Sequence, residues 1–372
     1  MNIQLAVLLL IMAITLIYFK ANDSLQGRKV CISLVTIIMT CFSGFRSWWM
    51  GDLIKYYTLY TQCNSTDWMS YVLRDYTNIG IRFFFRIMGS IGMPYEVCIF
   101  IITAFSAITL GILIYKYSPA PYWSYLMYIA MGFYLFTYSG LKQTIAMGFV
   151  ILAVMQIFED KPVRFVVWTM IAGLFHAPAF IVLIAYPVAK KKIDTYYFVM
   201  LVAAIAFIYF FRNQIIAWFT EAYYEEERLY TVAKTIGGRT LMMIFIIILG
   251  TILRPVREGD KIYCQVLNLM VIAALIQYFS IYDNVFTRLA DYYYQFIVLF
   301  MPMMLESGEH QLAMNPNPAY RIRCFDRNMY ILLGIAITVF ALWFYHSTIN
   351  SSVMLQDFRF FWQIDPYSLY GA

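Results

Sequence analysis

The sequence is short of charge: Asp, Glu, Lys and Arg make up 13% of its 372 residues, against roughly 25% in an ordinary soluble domain. A water-soluble globular enzyme is excluded. Only three histidines are present, His176, His310 and His346, with no His-Glu-x-x-His run, and the six cysteines show no Cys-x-x-Cys spacing. Neither a protein-built zinc site nor a disulfide framework is expected. The Gly-x-x-x-x-Gly-Lys-Ser/Thr loop that cradles nucleotide phosphates is missing, as is the Gly-x-Ser-x-Gly nucleophile elbow. P-loop ATP hydrolysis and α/β-hydrolase chemistry drop out with them. No Asp-x-Asp pair occurs, which argues against a metal-bound nucleotide-sugar donor. Basic residues outnumber acidic ones 27 to 21, but they lie dispersed in short loops, so nucleic acid is not an expected partner.

What the sequence has in abundance is apolar and aromatic surface. Hydrophobic residues account for 62% of the chain and aromatic ones for 19%, with 32 Tyr and 31 Phe, and the mean hydropathy is +0.67. Several apolar runs approach the ~20 residues that cross a bilayer core as a helix. The expected fold is therefore all-α and polytopic, bathed in membrane lipid. Ten segments read as spans: 3–19, 30–45, 95–115, 122–138, 145–158, 196–211, 241–253, 262–282, 289–305 and 329–345. The first has no basic residue ahead of it and no small-residue cleavage site behind it, so it is expected to be a retained span. No repeat or linker divides the chain, which reads as a single integral-membrane domain over 1–372.

One more apolar stretch, 163–189, is interrupted by Phe175-His176-Ala177-Pro178. Each arm has about 13 residues, or roughly 20 Å of helix, too little to cross alone. A broken hairpin puts Lys161 and Arg164 on the same side as the run Lys190-Lys191-Lys192, as the positive-inside bias requires. His176 would then lie at membrane depth, on the floor of a cavity that the broken backbone lines. With this hairpin both termini are external, together with the loops 46–94 and 212–239 and the tail 347–372. Loops of that length usually carry function.

Four groups at the outer helix ends carry usable chemistry. Arg46, with Gly51-Asp52 and Tyr56-Tyr57 beyond it, presents a carboxylate and a cation near the surface; alternatively, Arg46 and Asp52 form an ion pair at a helix exit. Lys142-Gln143 opens a helix, where the dipole disfavours a cation and welcomes a bound anion. His176 offers a base whose neutral form nearby cations would favour. Arg288, three residues before Asp291 and four before Tyr292, has the planar fork that grips a diphosphate, with Asp291 or Tyr292 to orient it. The alternative is an i,i+3 pair between Arg288 and Asp291. Arg82 and Arg86 share one helical face and are expected to touch lipid headgroups.

In their order and spacing these motifs resemble the Wzy/EpsG-type family of bacterial polysaccharide polymerases. The likeness is carried by Arg46 with Gly51-Asp52 and Tyr56 or Tyr57, by Leu141-Lys142-Gln143, by Phe175-His176, and by Arg288 to Tyr293, over about residues 31–304. Two departures stand out: the family commonly has Arg-Gln where this chain has Lys142-Gln143, and a Glu near the position of Asn78. The resemblance implies a fold like that of glycosyltransferase type C enzymes, in the bacterial cytoplasmic membrane. It also implies transfer of a growing undecaprenyl-diphosphate-linked glycan onto the next lipid-linked repeat unit of an O-antigen, capsule or exopolysaccharide, without metal or other cofactor. On that reading His176, Asp52 and Arg288 are the catalytic residues. Arg46, Tyr56, Lys142, Gln143, Asp291 and Tyr292 bind substrate, and a chain-length regulator and a flippase are the protein partners. A transporter of the lipid-linked oligosaccharide or an O-antigen ligase uses similar parts and stands as the alternative.

Overall fold

The computed structural model describes residues 10, 25–48, 52–76, 79–223, 237–252, 261–314 and 359–363. The predicted spans 3–19 (Leu10 apart) and 329–345 lie outside them, as do Gly51, Asn78 and residues 224–236. Among the described residues all regular structure is helical: α1 (Leu25–Gly44), α2 (Asp52–Thr61), α3 (Trp68–Val72), α4 (Ile79–Ser90), α5 (Tyr95–Tyr117), α6 (Pro121–Ala130), α7 (Phe133–Phe136), α8 (Leu141–Phe158), α9 (Pro162–Phe175), α10 (Ala185–Ala189), α11 (Thr195–Tyr223), α12 (Gly238–Ile252), α13 (Lys261–Tyr278), α14 (Val285–Tyr294) and α15 (Ile297–Met314). Five stretches, Gln26–Gly44, Tyr95–Tyr117, Leu141–Phe158, Thr195–Ala217 and Lys261–Ile281, are long and apolar enough to cross a membrane. Shorter apolar helices run over Pro162–Phe175, Ala177–Ala189 and Gly238–Ile252.

Two predicted single spans are broken. Residues 122–138 divide at Met131-Gly132, where Gly132 takes φ +83°, a left-handed conformation that costs glycine little. Residues 289–305 divide at Gln295-Phe296, between α14 and α15. The second break is followed by Pro302 inside α15. Proline has no N–H, so the carbonyl four residues back, that of Val298, loses its helical donor. The Ser124 hydroxyl, fully buried on α6, donates to that oxygen at 2.6 Å and lies 2.7 Å from the Ser118 hydroxyl. Ser124→Ala is expected to lower stability by about 1–3 kcal/mol, the cost of a stranded buried carbonyl; thermal unfolding in detergent measures it.

The chain forms two compact units, one comprising the residues up to Leu183 and those from Ile297 onward, the other Ile184–Phe296. In the first unit α1 and α5 run antiparallel. Arg28 at the start of α1 donates to the carbonyls of Ser118 and of Ile114 (3.2 Å), closing the C-terminus of α5. α8 and α9 form a tight antiparallel pair joined at Glu159, Asp160 and Lys161. There Glu159 holds Lys161 at 2.5 Å and Lys116 at 3.6 Å. Arg28, Lys116 and Lys161 thus gather at one end of the helices. Arg46, the start of α5 and the start of α8 occupy the other.

The region 46–94 folds against that other end. α2, α3 and α4 build a buried cluster on α5 and α8 that includes Leu53, Tyr71, Phe85, Tyr95 and Leu141. The Tyr95 hydroxyl donates to the Leu53 carbonyl (3.0 Å) and Tyr71 to that of Leu59 (2.7 Å). Arg82 and Arg86 do not reach for lipid. Arg82 is buried, donates to the Tyr71 carbonyl at 3.0 Å and lies over the Tyr71 ring. Arg86 donates to the Cys63 carbonyl and to Asn64 Oδ1 (2.9 Å). Both guanidiniums bind the segment around α3 to α4, because its irregular backbone leaves carbonyls without helical donors.

In the second unit Asn268 on α13 donates to the carbonyls of Val188, Ala189 and Lys191 at 2.9–3.1 Å, capping the end of α10. The Tyr263 hydroxyl donates to the Gly250 carbonyl (2.6 Å) and ties α13 to α12. No residue in the spanning part of α11 is buried, as suits a helix with much of its surface turned to lipid.

Candidate functional site

The first unit brings together most of the predicted residues. α9 ends at Phe175 because Pro178 has no N–H to donate to the Leu174 carbonyl four residues back. A 3-10 helix takes over at Ala177–Ile184, and His176 between the two is extended at φ −150°, ψ 102°. Its N–H still donates to Ala172 and its carbonyl accepts from Ala179 (3.0 and 2.8 Å). Counting residues back along the antiparallel pair from the turn at Asp160 places His176 level with the first turn of α8. That turn carries Lys142 and Gln143, so the expected base and the expected cation stand at one height. The Phe175 ring stacks on Phe149 of α8 at 5.5 Å. Gly80 of α4 admits the backbone of Leu174 so closely that a Cβ there would meet its carbonyl carbon and oxygen at 2.8 Å. His176 itself is half-buried.

Lys142 is not isolated: Asp75 and Asp52 are the carboxylates that act on it electrostatically. Asp75 was not singled out from sequence. It lies three residues before Asn78. Asp52, at the start of α2, pairs with Lys55 at 3.4 Å on an exposed face, in place of the Arg46–Asp52 pair offered as the alternative. Tyr56 is half-buried against the cluster under α2, and Gln143 is buried.

Arg46 has a different environment from the one expected of a substrate contact. It is buried, and its guanidinium donates to the carbonyls of Ser43, Thr137 (2.7 Å) and Tyr138 (3.2 Å) while lying over the Tyr138 ring. Burial pushes its pKa down to about 10, so it remains a cation at neutral pH. Thr137 and Tyr138 open the turn that delivers Lys142. Residues 45–47 are also held from a second side: Ser47 N–H donates to the Arg359 carbonyl (2.7 Å) and Phe361 N–H to that of Phe45 (3.0 Å). Phe45 meets the Phe361 and Trp362 rings there.

The second unit holds the other predicted residues. Asp291 is buried and paired with Arg239 of α12, and Arg288 acts on it electrostatically as well. Arg239 also lies over the Tyr294 ring at 4.9 Å. Arg288 is exposed, one residue beyond Thr287, whose hydroxyl accepts from Gln277 at 3.1 Å. Tyr292 is fully buried. Sequence reasoning missed Arg239: 52 residues separate it from Asp291, and only the glycine pair Gly237-Gly238 ahead of it marks the place.

An EpsG family model matches residues 29–313, which takes in both groups. The chain belongs to the EpsG family. This is a family of Wzy/EpsG-type polymerases, and its apolar helices make this member an integral membrane protein. No curated protein and no solved structure matches the chain. For an EpsG protein the two groups have usable chemistry. In the first unit Lys142 and His176 stand at the same level of the α8–α9 pair, and in the second Arg288 is an exposed cation.

Proposed function

We propose that this EpsG protein is a metal-independent glycosyltransferase. It transfers a growing undecaprenyl-diphosphate-linked glycan onto the next lipid-linked oligosaccharide at the outer face of the bacterial cytoplasmic membrane. The observation that carries this reading is the family match over residues 29–313 of an all-helical, apolar chain. The acceptor hydroxyl attacks the anomeric carbon of the growing glycan, the bond to the diphosphate breaks, and the lipid diphosphate leaves with the electron pair. His176 or Asp52 takes the hydroxyl proton. Lys142 in the first unit stabilises charge on the leaving diphosphate, and Arg288 in the second is by itself a cation able to grip a diphosphate. Tyr56 offers a ring face to sugar. Arg46 works through the turn before Lys142, and Arg239 through Asp291; both are positioning residues. A chain-length regulator and a flippase are the proposed partners.

The test is a deletion strain restored with wild type, Lys142→Ala or Lys142→Arg, its surface glycan sized on a gel. Wild type should restore a ladder and Lys142→Ala only single repeat units. Lys142→Arg, which keeps the charge, should restore polymer. An unchanged ladder in the deletion strain overturns the reading, and single lipid-linked units gathering on the inner leaflet point instead to transport.

A further inference from the structure

The second unit contains an apolar cavity that the proposed chemistry does not use. It measures 370 Å³ and lies between α11, α12 and α13, within the range of small-molecule sites. Its wall is almost wholly aliphatic, with Leu201, Ile205, Ile244, Ile248, Ala274 and Leu275 contributing. Polar groups occur at one end only. Tyr209, Thr240 and Tyr278 lie there, and the buried Thr240 hydroxyl has no hydrogen-bond partner among the described residues.

Among the described residues, three arginines of this unit lie close to that end in sequence or contact. Thr240 follows Arg239, and Tyr278 follows Gln277, whose amide reaches Thr287 beside Arg288. Arg212 lies over the Tyr209 ring at 4.8 Å. Asp291 pairs with Arg239, and Asp283 caps the N–H of Val285 (2.8 Å). An aliphatic slot, open along part of its wall, in a membrane-embedded unit and with arginines near its polar end, matches a molecule with a long hydrocarbon chain and an anionic head.

We infer that this cavity binds the isoprenoid tail of a polyprenyl diphosphate, with the head toward Arg239 and Arg288. The inference rests on the proposed polymerase reading for the identity of the lipid. Its location and its test are independent of that reading. The unpartnered Thr240 hydroxyl is placed to donate to the first phosphate oxygen, which would satisfy a group otherwise costly to bury.

The probe is a sugar-free polyprenyl diphosphate with a photoreactive group on its tail, added to the full-length protein in phosphatidylglycerol nanodiscs. Cross-links are expected on α11, α12 and α13 facing the cavity. Excess unlabelled polyprenyl diphosphate should reduce them at least tenfold, as should Ala274→Trp, which fills the slot, with Ala274→Leu intermediate. Cross-links confined to other helices overturn the inference. So does equal labelling by a diacyl phospholipid carrying the same photoreactive group, which would make the slot an ordinary lipid crevice. The competition on wild type keeps the test decisive if Ala274→Trp does not fold. A strain in which Ala274→Trp supports a normal ladder removes the tail site and leaves the polymerase reading standing. An unchanged ladder in the deletion strain does the reverse.

Discussion

Arg239→Ala should destabilise the protein by about 3–5 kcal/mol, because it removes the guanidinium paired directly with the buried Asp291 carboxylate. The pair is shielded on both sides, with side-chain exposures of 16% and 11%, so solvent does little to screen it. Asp291→Asn is expected to cost less, since the amide can still accept from Arg239. The double change Arg239→Ala with Asp291→Ala should recover much of the loss, because it removes both charges together. A double-mutant cycle on thermal unfolding in detergent reads the coupling. If Arg239→Ala melts like wild type, the pair does not hold α12 to α14.

The second large effect is expected at Arg46. Its guanidinium satisfies three carbonyls, those of Ser43, Thr137 and Tyr138. Each stranded carbonyl costs about 1–3 kcal/mol, so Arg46→Ala should lose several kcal/mol. Arg46→Lys keeps the charge but not the fork, and a single ammonium cannot serve carbonyls on both α1 and the turn before α8. The lysine variant is therefore expected to remain folded yet make little polymer, because the turn that delivers Lys142 is loosened. A substrate contact depending on charge alone would instead let Arg46→Lys retain polymer, and that outcome would return Arg46 to the substrate. Folded protein is measured by gel filtration and polymer by the ladder.

The fold was largely legible where a single apolar run makes a single helix, as in α5 and α11. The interruption at His176 was legible too, since Pro178 stands beside it. What hydropathy could not show was direction. Residues 122–138 and 289–305 are apolar throughout, and the left-handed turn at Gly132 or the break at Gln295 changes no hydropathy sum. The polar groups were legible as residues, but the partners they take in the fold were not. Arg46 reads the same in sequence whether it faces a diphosphate or three carbonyls. Asp291 and Arg239 are brought together by helix packing across a long insertion, and local spacing had offered Arg288 as the nearer partner.

The clasp between residues 45–47 and 359–361 sets an order on biosynthesis. The corner around Arg46 is made early and inserted with α1, yet its second hydrogen-bonded edge is translated several hundred residues later. Until then the backbone N–H of Ser47 and the carbonyl of Phe45 have no such partners. The outer corner of the first unit is thus finished only after the chain passes Phe361, so a nascent protein released before that point would carry Lys142 on an unfinished mount.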